Sequence, residues 1–178
     1  MPLAVIAELF VATAVAWQAW WLGWPAALIG VGAVVSYALW RTGPWTWTPS
    51  LRPAALLAIA AFVVHAIEEL VAGLPLALPA LFGRPGWSDG RFLVFIASWL
   101  VAFVVATFTA RPGRRVPLLP LLFLGLIGGV VNGVAHLGLV LRQGAYFPGA
   151  WTAPVMLLAG LVLLGAMRPR SQIRAPDG

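Results

Sequence analysis

The segment LLAIAAFVVHAIEELVAGL, residues 56–74, decides the fold class of this 178-residue chain. Its apolar run suits a membrane-spanning helix, which needs roughly 20 mostly apolar residues. The same run contains one histidine and two adjacent glutamates, His65, Glu68 and Glu69. A charge at the centre of a bilayer costs at least about 2.5–3.5 kcal/mol, so ionisable groups in such a run indicate function. The segment therefore predicts both a membrane helix and the position of a site.

The composition of the whole chain agrees with a membrane helix at this position. The residues are 62% hydrophobic and 9% charged, with a mean hydropathy of +0.96. Because soluble domains carry about a quarter charged residues, we expect a multi-pass protein of the cell membrane with the lipid bilayer as its main partner. The net charge of +6 is interpreted as a topology signal and as attraction to anionic lipid, not as nucleic-acid binding. The absence of cysteine excludes disulfides, thiolate metal sites and cysteine nucleophiles.

The hydrophobic pattern predicts an all-α, polytopic helix bundle with six spans. They cover about residues 3–22, 25–41, 54–73, 92–110, 117–141 and 149–167. A turn at Gly23 to Pro25 separates the first two spans, and treating residues 1–40 as a single span gives the alternative of five. With six spans, eight of the eleven arginines fall on one side, which places both termini in the cytoplasm. We expect residues 1–170 to form one transmembrane domain and residues 171–178 a disordered cytoplasmic tail.

Two features near the predicted spans bear on the surroundings of a site. Pro75 and Pro79 argue against a regular span in the loop of residues 74–92, which we expect to lie in the interface or to fold back as a lid. Trp99 lies near the middle of the fourth span, where it is interpreted as a packing residue. Neither feature indicates which reaction the site would carry out.

The ionisable groups are concentrated within the predicted spans, which hold Glu8, His65, Glu68, Glu69 and His136. Residues three and four apart share one face of a helix. His65 therefore shares a face with both neighbouring glutamates, and Asn132 shares one with His136. With a rise of about 1.5 Å per residue, the two faces lie at matching depths in the outer half of the third and fifth spans. We expect them to meet across one helix interface.

Glycines and a tyrosine surround the second of these faces. Gly125, Gly129 and Gly133 are four apart, a spacing of small residues that lets helix backbones come close together. After this helix, Tyr146 is expected to fold back over the outer mouth of the site. Pro148 and Gly149 then lead into the last span.

Three short motifs follow one another in the chain. They are H-x-x-E-E at residues 65–69, N-x-x-x-H at residues 132–136 and Y-x-P-G at residues 146–149. In these motifs the chain resembles the HXXEE-domain family of integral membrane proteins, over about residues 55–165. The resemblance implies that the motifs build one shared site and brings no established activity with it. The first hairpin, including Glu8, lies outside the resemblance.

Three interpretations of this site stay open. The first is a structural polar network, although such contacts are worth only about 0.6–2 kcal/mol in membranes. The second is an enzyme that isomerises, cyclises or hydrolyses a lipophilic small molecule by acid–base chemistry. Its site residues would be His65, Glu68, Glu69, Asn132, His136 and Tyr146. The third is a small proton- or cation-coupled carrier or channel, which would have to oligomerise to form a path.

A metal is an open alternative within the enzyme interpretation. His65, Glu69 and His136 form a set of two histidines and one carboxylate, as in some catalytic zinc sites. A divalent zinc or iron ion bound there would leave Glu68 as a general base. The histidines and glutamates can equally neutralise one another as pairs without any metal. No nucleotide or flavin is expected, because the chain has no motif that binds one.

Overall fold

The computed structural model describes residues 3–21, 23 and 27–168, and these residues form seven helices and no strand. The helices are α1 (Leu3–Trp21), α2 (Ala27–Thr42), α3 (Leu51–Val71), α4 (Leu74–Ala80), α5 (Asp89–Thr109), the continuous α6–α7 helix (Leu118–Gln143) and α8 (Ala153–Ala166). The all-α prediction is confirmed, and each predicted span overlaps one of these helices. The predicted tail, residues 171–178, and Trp24 and Pro25 of the predicted turn lie outside the described residues.

Among the described residues, three helices are long and apolar enough to cross a bilayer. They are α3, α5 and the α6–α7 helix, with 21, 21 and 26 residues. Shorter apolar stretches of 10–17 residues lie in α1, α2 and α8. The three long helices indicate a membrane protein, whereas the number of crossings and the orientation of the termini stay predictions.

Local signals in the sequence explain how the segment between α3 and α5 folds. Gly73, with φ of 82°, ends α3 and turns the chain into the short helix α4, because this left-handed conformation suits glycine. Pro75 stands in the first turn of α4, where its missing N–H does no harm. The hydroxyl of Ser88 then accepts a hydrogen bond from the backbone N–H of Arg91 and caps α5. The loop of residues 74–92 is therefore built around one short helix.

The α6–α7 helix is irregular in its middle, where residues Leu124–Val131 adopt π-helical geometry. Regular α-helix resumes at Asn132. A π segment changes the angular register of everything that follows it. It therefore decides in which direction Asn132 and His136 point, and the glycine-rich sequence alone did not reveal this irregularity.

The glycine stripe packs against α8, so the close approach predicted for it does not involve α3. A Cβ atom on Gly129 would lie 2.6 Å from Cα of Gly160, and one on Gly133 would lie 2.8 Å from the carbonyl oxygen of Ala153. Real Cβ atoms do not come so close to backbone, so the two helices touch through their main chains. This contact holds the start of α8 beside the Asn132–His136 face.

The first hairpin carries its own polar pair. The hydroxyl of Tyr37 on α2 donates a hydrogen bond to Oε1 of Glu8 on α1, at 2.9 Å. Farther along α2, Nη2 of Arg115 donates to the carbonyl oxygen of Trp40, and Nε1 of Trp40 donates back to the carbonyl oxygen of Arg115. The second, reciprocal pair joins the hairpin to the loop before the α6–α7 helix.

Candidate functional site

The site has a buried cluster made of His65, Glu69, His136 and Asn132. The first three are 0, 6 and 4% exposed. Nε2 of His136 lies 3.0 Å from Oε1 of Glu69, and Nε2 of His65 lies 3.2 Å from the same oxygen. The two imidazoles meet edge to face with ring centroids 4.9 Å apart. One carboxylate oxygen is therefore held between two imidazole nitrogens, nearly closed off from solvent.

The His136–Glu69 contact is a hydrogen bond and requires a proton between its two atoms, whereas the longer His65–Glu69 contact is at ion-pair distance. The amide of Asn132 lies 2.8 Å from Nε2 of His65. Turning an amide over exchanges its NH₂ donor for its carbonyl acceptor. Asn132 can therefore serve His65 whether Nε2 carries a proton or not, and the cluster can keep its geometry when a proton moves.

Above the buried cluster lies the rim, which consists of Glu68, Tyr146, Thr152 and the backbone of Trp151. The Glu68 carboxylate accepts hydrogen bonds from the Tyr146 hydroxyl at 2.7 Å and from the backbone N–H groups of Trp151 and Thr152 at 3.0 and 2.8 Å. The Thr152 hydroxyl also donates to it, at 2.5 Å. These donors surround the start of α8, where the helix dipole favours an anion. Glu68 thus fastens the Y-x-P-G loop and α8 to α3.

One hydrogen-bonded contact joins the rim to the buried cluster. Oγ1 of Thr152 lies 2.6 Å from Nδ1 of His65 and is also bound to Oε2 of Glu68. His65 therefore faces Glu69 and Asn132 with one ring nitrogen and Thr152 with the other. The imidazole connects two carboxylates that are adjacent in the sequence.

The Y-x-P-G loop closes the cluster from the rim side. Gly149 has φ of 91°, and a Cβ atom there would lie 2.6 Å from Cε1 of His136 and 2.9 Å from Cε1 of His65. Glycine is needed at this position both for the backbone conformation and for space. Phe147 is buried against His136, with ring centroids 5.8 Å apart.

An apolar cavity of about 170 Å³ opens beside the cluster. Glu69, Asn132 and His136 are its polar lining residues, and α4 contributes Leu74 and Leu78. Its aromatic wall consists of Phe62, Trp87, Phe92, Phe95, Trp99, Phe103, Phe123 and Phe147. An apolar cavity with a few convergent polar groups is the usual form of a small-molecule site.

The sequence model of the family described as "Protein of unknown function with HXXEE motif" matches residues 56–164, more than half of the chain. The chain belongs to the HXXEE family. The match includes every residue of the buried cluster and the rim, and it leaves out the α1–α2 hairpin. No curated protein and no solved structure matches the chain significantly.

The structure brings all six predicted site residues of this HXXEE protein together, in two different settings. His65, Glu69, Asn132 and His136 lie in the buried cluster, whereas Glu68 and Tyr146 lie in the rim. The faces of α3 and the α6–α7 helix meet, as their matching depths predicted. The assigned roles in chemistry stay predictions.

The sequence did not predict Thr152 as a site residue, and it predicted only a packing role for Trp99. The only signal for Thr152 was its position before Ala-Pro at the start of a helix, which is typical of an N-cap and indicates no contact with His65. Trp99 does pack, stacked on Phe123 with ring centroids 4.2 Å apart, and it also lines the cavity.

A divalent metal fits the buried cluster only in part. The ligand atoms of His65, Glu69 and His136 lie within 4.8 Å of one another. Metal-bound imidazoles usually donate their second N–H to an acceptor. Nδ1 of His65 has Thr152 as its partner, but Nδ1 of His136 is buried and has no hydrogen-bond partner among the described residues. A metal on Nε2 of His136 would leave that N–H unsatisfied, so among the described residues His65 has the second partner that a metal-bound imidazole usually keeps and His136 does not.

Tyr146 lies in the loop between helices and is 45% exposed. Partial burial first, and then the hydrogen bond to the Glu68 carboxylate, raise the pKa of its hydroxyl above the ordinary value of 10.0. The hydroxyl therefore stays protonated and continues to donate to Glu68 at physiological pH.

Proposed function

We propose that this HXXEE protein is an integral membrane enzyme that rearranges a lipophilic small molecule by acid–base chemistry at the buried cluster. Residues 1–170 form one transmembrane domain in this proposal, with six spans in the cell membrane and both termini in the cytoplasm. The observation that carries it is the aromatic-walled cavity that meets Glu69, Asn132 and His136. A molecule in that cavity would touch the shared proton directly.

The buried cluster can both give and take a proton. Oε1 of Glu69 contacts two imidazole nitrogens, so a proton leaving this group can be replaced from either ring. Transfer by positioned side chains of this kind contributes typically about 10²–10⁴-fold to a rate. In an isomerisation or cyclisation, the cluster protonates one substrate atom and removes a proton from another, which leaves its own charge unchanged.

The wall of the cavity favours isomerisation or cyclisation over hydrolysis. Hydrolysis requires a water molecule beside the reacting bond, and aromatic side chains offer water few hydrogen-bond partners. The same surroundings stabilise an apolar substrate and exclude side reactions with water. Asn132, whose amide also lines the cavity, can orient an oxygen of the substrate.

A carrier that uses the same groups is the alternative. Glu8 is the remaining carboxylate within the predicted spans, and its Oε1 accepts a hydrogen bond from Tyr37 of the first hairpin. Glu8 is not among the residues that line the cavity. This arrangement supports a single site more than a path through the bundle.

The proposal is tested by comparing the lipids of membranes that contain different variants. Glu69→Gln removes the exchangeable carboxyl proton, and Glu8→Gln is the matched control because it alters another carboxylate within a predicted span. Chromatography with mass spectrometry separates isomers and cyclised products of equal mass. We expect a product with the wild type and with Glu8→Gln, and none with Glu69→Gln. Equal lipid profiles, together with proton flux into liposomes that Glu69→Gln abolishes, would instead establish the carrier.

The proposed topology is tested with single cysteines, since the chain has none of its own. Pro85→Cys and Pro112→Cys lie in exposed loops at opposite ends of α5. A membrane-impermeant thiol reagent should label the first in intact cells and the second only after permeabilisation. Pro2→Cys distinguishes five spans from six, because labelling of this position in intact cells would place the N-terminus outside.

A further inference from the structure

The hydroxyl of Thr152 does not cap α8, the helix that follows it. Thr152 is the N-cap residue of α8, and an N-cap hydroxyl normally accepts a hydrogen bond from the first turn of its helix. The Thr152 side chain makes no such capping bond. It lies instead 2.6 Å from Nδ1 of His65 and 2.5 Å from Oε2 of Glu68. Its geometry therefore serves these two ionisable groups and not the helix end.

The Thr152 hydroxyl can satisfy both of its neighbours in two proton arrangements. A threonine hydroxyl carries one proton, and both of its neighbours are at hydrogen-bond distance. If Thr152 donates to Glu68, then Nδ1 of His65 must carry a proton and donate it to Oγ1. If Thr152 donates to His65, then the Glu68 carboxyl must carry that proton. The two arrangements use the same heavy-atom positions and differ only in where one proton resides.

We propose that Thr152 relays a proton between Glu68 in the rim and His65 in the buried cluster. In the inward direction, a proton leaves Oε2 of Glu68 for Oγ1 while the hydroxyl proton passes to Nδ1 of His65. Glu68 becomes a carboxylate, His65 gains one proton, and the reverse transfers restore both. The relay supplies the protons of the acid–base chemistry described above and in that sense rests on the proposed function.

The surroundings of His65 and Glu68, the two ends of the relay, fit this role. His65 is fully buried, and the cavity beside the cluster is apolar, so the cluster needs a connection to solvent. Glu68 is half-buried and hydrogen-bonded to Tyr146, which is 45% exposed. The negative charge left on Glu68 is stabilised by Tyr146 and by two backbone N–H groups at the start of α8. Protons can therefore exchange at the rim and reach the cluster through Thr152.

The chain has only two histidines, so labelling with ¹⁵N-histidine gives four ring nitrogen signals that a His136→Gln variant assigns. The measurement is the exchange of the His65 ring proton with D₂O in the detergent-solubilised full chain. Thr152→Val keeps the shape of the side chain and removes the hydroxyl. We expect exchange at His65 to slow by at least about tenfold, which corresponds to a barrier raised by about 1.4 kcal/mol. Exchange at His136 should change less than exchange at His65.

A purely structural role for the hydroxyl predicts the opposite sign. Loss of one hydrogen bond would loosen the segment, and local opening speeds exchange. Unchanged or faster exchange at His65 in Thr152→Val would therefore overturn the relay. Thr152→Ser should restore the wild-type rate. Backbone amide exchange in α8 serves as the control for folding.

A second variant keeps the test informative if Thr152→Val does not fold. Glu68→Gln still accepts hydrogen bonds from the rim but cannot pass on a proton, so exchange at His65 should slow as well, and an unchanged rate overturns the relay. None of these measurements needs a substrate. Slow exchange in both variants supports the relay even where no lipid product forms, in which case the proposed enzyme activity alone fails.

Discussion

The buried cluster and the rim are built on neighbouring residues of one helix, Glu69 and Glu68. Successive residues of a helix point about 100° apart, so the two carboxylates enter different surroundings. Glu69 is 6% exposed, contacts two imidazoles and lines the cavity. Glu68 accepts hydrogen bonds from backbone N–H groups and hydroxyls at the start of α8. One carboxylate faces a candidate substrate, while the other holds a loop in place.

This difference shows that a pair of like residues in a motif need not share one task. The partners of Glu69 are imidazole nitrogens, which can both give and take a proton. Three of the partners of Glu68 are backbone or phenol groups that do not do so near neutral pH. The HXXEE motif therefore joins a position at the cavity to a position that anchors the loop and, in the proposed relay, exchanges protons at the rim, and His65 contacts both regions.

The largest expected effect is a difference in turnover between the variants Glu69→Gln and Glu68→Gln. Glu69→Gln should lower turnover by about 10²–10⁴-fold, since it removes the exchangeable proton at the cavity. Glu68→Gln should lower turnover less, because its amide oxygen still accepts hydrogen bonds in the rim. Initial rates on the product identified in the lipid comparison measure both variants. Equal losses would remove the distinction between the two regions.

Filling the cavity should weaken substrate binding without disturbing the rim. Ile96 on α5 lines the cavity, so Ile96→Trp should raise KM by about tenfold or more. Leu93→Trp is the matched control, because Leu93 is on the same helix, is half exposed and does not line the cavity. Similar KM values for the two variants would place the substrate elsewhere.

A substitution of Gly149, which packs over the buried cluster, should lower the stability of the protein. Gly149→Ala forces a side chain into the left-handed backbone region and against both imidazoles. The backbone conformation alone should lower the free energy of unfolding by about 1–3 kcal/mol. Denaturant unfolding in detergent measures this change. Gly138→Ala, at a helical position with open space around it, should not be destabilised, and equal behaviour of the two variants would contradict the packing described.

The smallest expected effect concerns the pH dependence of the rim. The pKa of Tyr146 is raised above 10.0, so the folded state favours the protonated hydroxyl. Its contribution to stability is present below the pKa of the unfolded chain and is lost as pH rises through the raised value. In a Tyr37→Phe background, absorbance of the phenolate should report ionisation of Tyr146 above pH 10. Glu68→Gln should lower this midpoint, and an unmoved midpoint would argue against the contact.

Much of the fold followed from the sequence because membrane helices depend mainly on local composition. Apolar runs of sufficient length located the long helices, and the spacing of His65, Glu68 and Glu69 placed them on one side of α3. The start of the last helix was less accurate, at residue 149 instead of Ala153. The chain between these positions is a tight turn around Gly149, and its apolar composition resembles that of a span.

The sequence by itself determined the helical class, the family and the residues that gather at the site. It could do so because periodicity and depth along a helix are properties of the chain alone. Only the tertiary structure decided which group each side chain contacts. The π segment oriented His136, contact between glycine backbones brought α8 beside the α6–α7 helix, and the turn at Gly149 placed Thr152 between His65 and Glu68. These are contacts between residues far apart in the chain, on which local pattern carries no information.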